Sequence, residues 1–175
     1  PNNSSVVYLT AHQHGMYKSV NSGVSFSPIN TGVTDLSARS FAIDPAHPGW
    51  VFGGVWHGSG VFVTWNGGAA WSKSSAGLPS AVKVNRLYLD PFGRLQKRLF
   101  SCTYGHGLYS SDNFAVNWSS RGLSGQGIYD FVIADGSPQR WYAATENNGI
   151  FRSTTGGTNW KSIMADLRLT DITGL

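Results

Sequence analysis

The sequence predicts an all-β fold, a β-propeller of four blades with four antiparallel strands each. Three observations predict it: 22 Gly beside 7 Trp, 7 Tyr and 9 Phe in 175 residues, a charged fraction of only 13%, and a motif that recurs every 42 to 47 residues. Glycine and aromatic residues favour turns and short strands, and a typical soluble domain has about 25% charged residues. A four-stranded unit of about 40–45 residues is the period of a propeller blade.

The repeated motif is Gly, an aliphatic residue or Met, an aromatic residue, any residue, and a hydroxyl residue. It occupies positions 15–19, 60–64, 107–111 and 149–153. Seven positions after each hydroxyl residue stands an aromatic residue, namely Phe26, Trp71, Trp118 or Trp160. Because the copies keep the same offsets, we interpret them as the third strand, the turn and the fourth strand of successive blades.

Two further strands precede the glycine of each complete unit. An apolar run with an aromatic residue lies seven or eight positions before it, at Tyr8, Phe52, Phe100 and Tyr142. Still earlier, three apolar runs end in an Asp that suits a turn, at Asp44, Asp90 and Asp135. The blades are therefore expected to span approximately 1–32, 33–80, 81–122 and 123–165.

The two ends of the sequence are complementary in phase. Residues 6–10 resemble a second strand, and residues 169–175 resemble a first strand. Residues 166–175 are thus expected to form a first strand that completes the first blade. Three arrangements follow: a closed four-bladed ring, two chains forming an eight-bladed ring, and a portion of a longer propeller. The portion is favoured, because the sequence begins at Pro1 and stops at a strand end.

The turn between the third and fourth strands carries the most specific motif. Residues 64–71 and 153–160 resemble the Asp-box, or bacterial neuraminidase repeat, with the pattern Ser/Thr-x-Asp-x-Gly-x-x-Trp; residues 19–26 and 111–118 are weaker copies. The Asp position holds Asn21, Asn66, Asn113 and Thr155, and Ala115 replaces one glycine. Since Asn supports the same turn, the resemblance still implies a propeller, whereas metal binding by the boxes is disfavoured.

Asp-box propellers include sialidases, xyloglucan-cleaving hydrolases, sortilin-type receptors and photosystem assembly factors. The resemblance therefore implies a fold and no single activity. We expect a non-catalytic module, extracellular or periplasmic, that binds a glycan or a protein partner. Two alternatives stay open: a portion of a glycoside hydrolase whose catalytic groups lie outside this chain, and a structural subunit of a larger assembly.

The loops between second and third strands are chemically unusual, since they hold four of the five histidines and the only glutamate. In a propeller these loops share one rim, where side chains that stack on sugars or bond hydroxyl groups converge. The predicted ligand-binding residues are His12, His14, Trp56, His57, Tyr104, His106, Glu146 and Asn147. No metal or cofactor is expected, because the sequence fixes no third ligand beside the first two histidines.

Candidates for acid catalysis are few. Glycoside hydrolysis usually needs two carboxyl groups facing the substrate. Asp130 and Asp171 lie in the predicted axial strands and are the candidates, although strand-start positions favour a structural role. Arg39 and Arg86, with the loosely equivalent Arg168, offer the alternative of an anionic ligand.

Composition argues against other classes of protein. The net charge of +4 reflects scarce acids, and the basic residues are scattered, so nucleic-acid binding is not expected. No apolar run approaches the roughly 20 residues that cross a bilayer, so membrane insertion is not expected. Cys102 alternates with aromatic residues and is predicted to be buried. The tryptophans outside the box pattern are expected to be exposed or at interfaces: Trp50, Trp65 and Trp141.

Overall fold

The chain folds into successive antiparallel β-sheets, in a computed structural model that describes residues 4–90, 98–136 and 139–163. The first blade contains β1 (Val7–Ala11), β2 (Gly15–Ser19) and β3 (Ser27–Pro28). The second contains β4 (Ala38–Ile43), β5 (Val51–Val55), β6 (Val61–Thr64) and β7 (Ser72–Lys73). The third contains β8 (Lys83–Leu89), β9 (Leu99–Tyr104), β10 (Gly107–Ser111) and β11 (Ser119–Ser120). The fourth contains β12 (Ile128–Ala134), β13 (Arg140–Thr145), β14 (Ile150–Ser153) and β15 (Lys161–Ser162).

Each sheet is a meander in which neighbouring strands are also consecutive in sequence. This architecture confirms the predicted all-β propeller blades. The first blade has three strands in the described residues. Its β1 pairs with β2 in the way that the second strand of a complete blade pairs with the third strand. Residues 166–175, predicted to complete it, lie outside the described residues, so that closure and the blade boundaries stay predictions. No helix that could cross a membrane is found in the described ranges.

The first strand of each complete blade begins with a β-bulge. The register shifts between Ala38 and Ser40 in β4, and equivalent shifts occur in β8 and β12. The bulged residues are Arg39, Asn85 and Tyr129. A bulged residue leaves the ladder, and its side chain is turned in a new direction. Because these first strands run antiparallel to β5, β9 and β13, the bulges lie at the same end of the sheets as the loops between second and third strands.

The turns between third and fourth strands share one hydrogen-bond pattern. In the second blade, Gly68 N donates to Thr64 Oγ1 at 3.0 Å, and Ala70 N donates to Asn66 Oδ1 at 3.1 Å. The same two bonds recur in the other blades. Gly68 has a φ of +95°, which glycine adopts without steric cost. Asn therefore makes the side-chain-to-backbone bonds that the sequence predicts for this position.

The tryptophan that closes the turn in the second, third and fourth blades also joins neighbouring blades. Trp71 Nε1 donates to Ile29 O at 2.6 Å, Trp118 Nε1 donates to Ser74 O at 2.9 Å, and Trp160 Nε1 donates to Arg121 O at 2.7 Å. In these three bonds the acceptor belongs to the preceding blade, and Trp160 Nε1 also donates to Gly157 O of its own turn at 3.0 Å. Each indole thus combines packing of its rings with a satisfied N–H group.

The core between the third and fourth blades is aromatic. Phe100, Phe131 and Trp141 form a mutually contacting trio with ring centroids 4.9 to 5.6 Å apart. Trp141 is 1% exposed, so its predicted position at the surface or an interface is wrong; it lies on a central strand, in a core layer. Cys102 is buried as predicted, and burial raises the pKa of its thiol.

Candidate ligand-binding rim

Loops and bulges from successive blades meet at one end of the sheets. We call the resulting surface the rim strip. It comprises His12, Arg39, Trp56, His57, Lys83, Tyr104, Tyr129 and Glu146. Five of these residues are predicted from the sequence as ligand contacts, and the structure places them in a row across the blades.

Two aromatic rings form the middle of the rim strip. Trp56 and Tyr104 are half-buried, and their ring centroids lie 5.3 Å apart in an edge-to-face arrangement at 63°. The Arg39 guanidinium carbon lies 3.7 Å from the Trp56 centroid. Lys83 Nζ lies 5.6 Å from the centroid of Trp56 and 5.6 Å from that of Tyr104. Two cations therefore flank two aromatic rings contributed by neighbouring blades.

Glu146 forms one end of the rim strip. Tyr129 OH donates to Glu146 Oε1 at 3.3 Å, and a second hydrogen bond, from Tyr104 to Glu146, raises the pKa of Tyr104. Gly127 leaves room for this carboxylate, because a Cβ at that position would lie 2.8 Å from Glu146 Oε2. The carboxylate is thus held by two tyrosine hydroxyl groups.

Histidines form the other end. His12 and His57 face each other edge to face with centroids 6.2 Å apart. The backbone N of His57 donates to Asp35 Oδ2 at 3.1 Å and to Ser37 Oγ at 3.0 Å, which fixes the loop. Burial by itself would raise the pKa of Asp35, but hydrogen bonds from Ser37 and the nearby His57 outweigh it and lower that pKa.

Asp35 makes the stability of this loop sensitive to acid. Its pKa is lower in the folded than in the unfolded chain, so its stabilising contribution is complete above the unfolded value and is lost as the pH falls through the folded value. Thermal melts between about pH 2 and about pH 6 test this assignment. We expect the melting temperature of Asp35→Asn to lie below that of the native protein near pH 6, and the difference between the two to shrink towards pH 2. A difference independent of pH would contradict this assignment.

Three other predicted residues lie in the same loops but outside this row of contacts. The His14 ring nitrogen Nδ1 lies 2.9 Å from His12 O, so its side chain turns back on its own loop. His106 is half-buried, and Asn147 is exposed. Asn148, which the sequence did not single out, donates from Nδ2 to Gln126 Oε1 at 2.6 Å.

The sequence interpretation missed Lys83 and Tyr129, and it considered Arg39 only as an anion ligand. Arg39 and Tyr129 occupy the bulge, a feature of strand pairing that residue types do not reveal. A partial signal existed in the repeat phase, since Arg39 and Asn85 each stand five positions before the Asp that ends the strand.

The predicted acid Asp130 is engaged in an ion pair between blades. It is 6% exposed and accepts hydrogen bonds from Arg86 Nη1 at 2.8 Å, from the Tyr88 hydroxyl, and from Phe131 N at 2.9 Å. Burial and the bond to Asp130 raise the pKa of Tyr88, so the hydroxyl stays protonated and donates. Asp171, the second candidate, and Arg168 lie outside the described residues.

Metal binding has no obvious location in the described part of the chain. There, no three His, Cys, Asp or Glu side chains are grouped closely enough to hold a metal ion. At the rim, His12 and His57 supply two imidazoles. The Asp35 carboxylate, which accepts a hydrogen bond from Ser37, has its Oδ1 3.9 Å from His57 Nδ1.

Comparison with known proteins finds similarity only in fold. No family model matches the chain, and no curated protein matches it. Among solved structures, an ancestral GH74 enzyme is 20% identical with a TM-score of 0.77, over 93% of this chain and 23% of that one. The GH74 xyloglucanase from Xanthomonas campestris is 17% identical with a TM-score of 0.74, over 95% of this chain and 29% of that one.

Propeller structures of other kinds are also similar. The extracellular domain of BT4673 from B. thetaiotaomicron is 16% identical with a TM-score of 0.71, over 98% of this chain and 23% of that one. YCF48 bound to D1 peptide is 17% identical with a TM-score of 0.61, over 96% of this chain and 53% of that one. The chain thus spans about a quarter of the GH74 structures and about half of YCF48. The TM-scores establish a propeller fold, and the low identities leave the activity open.

Proposed function

We propose that this chain is a non-catalytic propeller module that binds a glycan along the rim strip, with a protein partner as the second candidate. The observation that carries the proposal is the half-buried pair Trp56 and Tyr104, with centroids 5.3 Å apart, set among hydrogen-bonding side chains from neighbouring blades. Aromatic rings beside a few placed polar groups are the usual composition of a site that holds a small or extended ligand.

The polar groups of the rim strip suit sugar hydroxyl groups. Glu146 accepts hydrogen bonds, the Tyr129 hydroxyl both donates and accepts, and imidazoles do either according to tautomer. A groove of about 360 Å³ lies beside the loop of His57; its lining includes Gly58, Ser59, Lys73, Ser75, Leu78 and Pro79 and no residue of the rim strip.

The similar structures support the proposal by analogy. They include a xyloglucanase, a peptide-bound protein and an extracellular domain. On the same ground we propose an extracellular or periplasmic location. From the sequences of the turns we also propose that the chain is an Asp-box propeller. The environment of Asp130 supports a module without catalysis, because its carboxylate is occupied by Arg86 and Tyr88.

A panel of neutral and acidic oligosaccharides tests the proposal. We expect at least one to bind without release of reducing sugar, and Trp56→Ala to weaken binding roughly 10- to 100-fold, as for a central aromatic contact. The matched control is Trp65→Ala, since Trp65 is 46% exposed but lies in the turn at the opposite end of the strands.

Other outcomes discriminate among the candidates. Release of reducing sugar that depends on Asp130 would favour the hydrolase. Binding of a peptide library in place of any saccharide would favour the protein partner. If neither class binds, or if the two tryptophan variants weaken binding equally, the rim strip is not the ligand site.

A further inference from the structure

We propose that the glycan bound by the rim strip is acidic, a uronate-containing saccharide whose carboxylate lies between Arg39 and Lys83. This inference rests on the proposed function and specifies its ligand. It depends on the charges of the rim strip, on the fixed orientation of Arg39, and on the kinds of residue around them.

The two cations of the rim strip have no carboxylate partner in the described part of the chain. The arginine ion pairs found there are those of Arg86, Arg98 and Arg121, each with an aspartate within 4.0 Å. The nearby carboxylates already accept hydrogen bonds from other groups. Asp35 accepts from Ser37 and from the His57 backbone, and Glu146 accepts from two tyrosines. The positive charge of Arg39 and Lys83 is therefore left for an external anion.

Arg39 is held in one orientation before any ligand arrives. Its guanidinium stacks on Trp56 with 3.7 Å between the guanidinium carbon and the ring centroid, and its Nη1 donates to Asn85 Oδ1 at 3.4 Å. The bulge fixes the start of the side chain. A guanidinium has five N–H donors in a rigid fork that fits a carboxylate, so a stacked guanidinium loses little entropy on binding one.

Lys83 adds a second positive charge around the same indole. Its ammonium lies 5.6 Å from the Trp56 centroid, so both cations lie within 6 Å of one ring. Both side chains are exposed, and the chain carries a net charge of +4. Two like charges around one ring repel each other in the free protein, and the attraction of a bound carboxylate to both of them offsets this repulsion. The site therefore favours an anion over a neutral ligand of the same shape.

The residues around the cations favour a saccharide over an acidic peptide. The rim strip consists of aromatic, imidazole, carboxylate and cationic side chains and contains no aliphatic one. A peptide interface usually has an apolar centre that buries side chains of the partner, whereas sugar rings need flat aromatic faces and hydroxyl partners. The rim strip supplies the flat aromatic faces and the hydroxyl partners that sugar rings need.

Polygalacturonate oligomers and their methyl esters test the inference, because esterification removes the charge and keeps the sugar. By calorimetry we expect the acid form to bind at least about 10-fold more tightly than the ester, and the difference to shrink at high salt. Arg39→Gln and Lys83→Gln should each weaken binding of the acid about 10-fold and leave binding of the ester almost unchanged. Lys161→Gln, an exposed change on the outermost strand of the fourth blade, is the matched control.

The readouts separate this inference from a purely structural role. Removing Lys83 should weaken binding and change the melting temperature little, since the repulsion that it relieves offsets the two ring contacts that it loses. Equal affinity for acid and ester would overturn the inference and leave the proposed function standing. Polyglutamate binding as tight as polygalacturonate would overturn the choice of a saccharide. Failure of both polymers would also overturn it, and the panel of neutral sugars would then decide the proposed function separately.

Discussion

Replacing Trp118 with Ala is expected to lower the free energy of unfolding by about 4 kcal/mol, the largest effect of any single change considered. Trp118 is 4% exposed, and its Nε1 donates to Ser74 O of the preceding blade at 2.9 Å. Truncation therefore leaves a cavity and an unsatisfied carbonyl at the junction of two blades. Urea unfolding measures the change when it is followed by far-UV circular dichroism, a signal that does not rely on tryptophan fluorescence.

Phe26 provides a control at the same position of the repeat. It closes the turn of the first blade but is 37% exposed. Since it has less surface to lose and no indole N–H, Phe26→Ala should cost about 1 kcal/mol. Equal costs for the two variants would show that these aromatic residues stabilise their own hairpins and contribute little to contacts between blades.

Replacing Asp130 with Asn is expected to lower the free energy of unfolding by about 2 kcal/mol and to leave saccharide binding unchanged. The Asp130 side chain is 8% exposed. Its partner Arg86 belongs to the first strand of the preceding blade, and Arg86 Nη1 lies 2.8 Å from the Asp130 carboxylate. Neutralising the carboxylate leaves the guanidinium with a weaker acceptor. The cost stays below that of a fully buried pair because Arg86 is 51% exposed.

Asp112→Asn is the matched control for this ion pair. Asp112 accepts from Arg98 Nε at 2.7 Å and from Arg121 Nη2 at 3.4 Å, but its side chain is 49% exposed. Its loss should cost about 0.5 to 1 kcal/mol, less than the loss of Asp130, because ion pairs of an exposed carboxylate are weak. A double-mutant cycle of Asp130→Asn with Arg86→Gln isolates the coupling between the partners. Loss of a hydrolytic activity with unchanged stability would contradict the structural role of Asp130.

The blades could be predicted from the sequence because their marks are local. The hydroxyl residue, Asn66 and Gly68 act within one turn, so a fixed spacing in sequence reports a fixed geometry. The burial of Trp141 could not be predicted in the same way, because this residue lies outside the Asp-box pattern. Its burial arises from packing against Phe100 of the preceding blade, a contact that no spacing within its own repeat reveals.

The candidate site was predicted as a set of loops but not as a surface. Equivalent loops identify the rim, yet the contact of His12 with His57 depends on the packing of two blades. The placement of Arg39 over Trp56 depends on a bulge, which is set by strand register. Residue types alone therefore give the chemistry of the rim, while its order and its paired cations come from the pairing and packing of strands.

Hydroxyl-radical footprinting with a bound saccharide tests the rim strip most directly. The structure has Trp56 in the rim strip and Trp65, 46% exposed, at the opposite end of the strands, so one chain contains both the probe and the reference. We predict that ligand lowers the oxidation of Trp56 and Tyr104 and leaves that of Trp65 unchanged. Protection of Trp65 with unchanged oxidation of Trp56 would contradict the account.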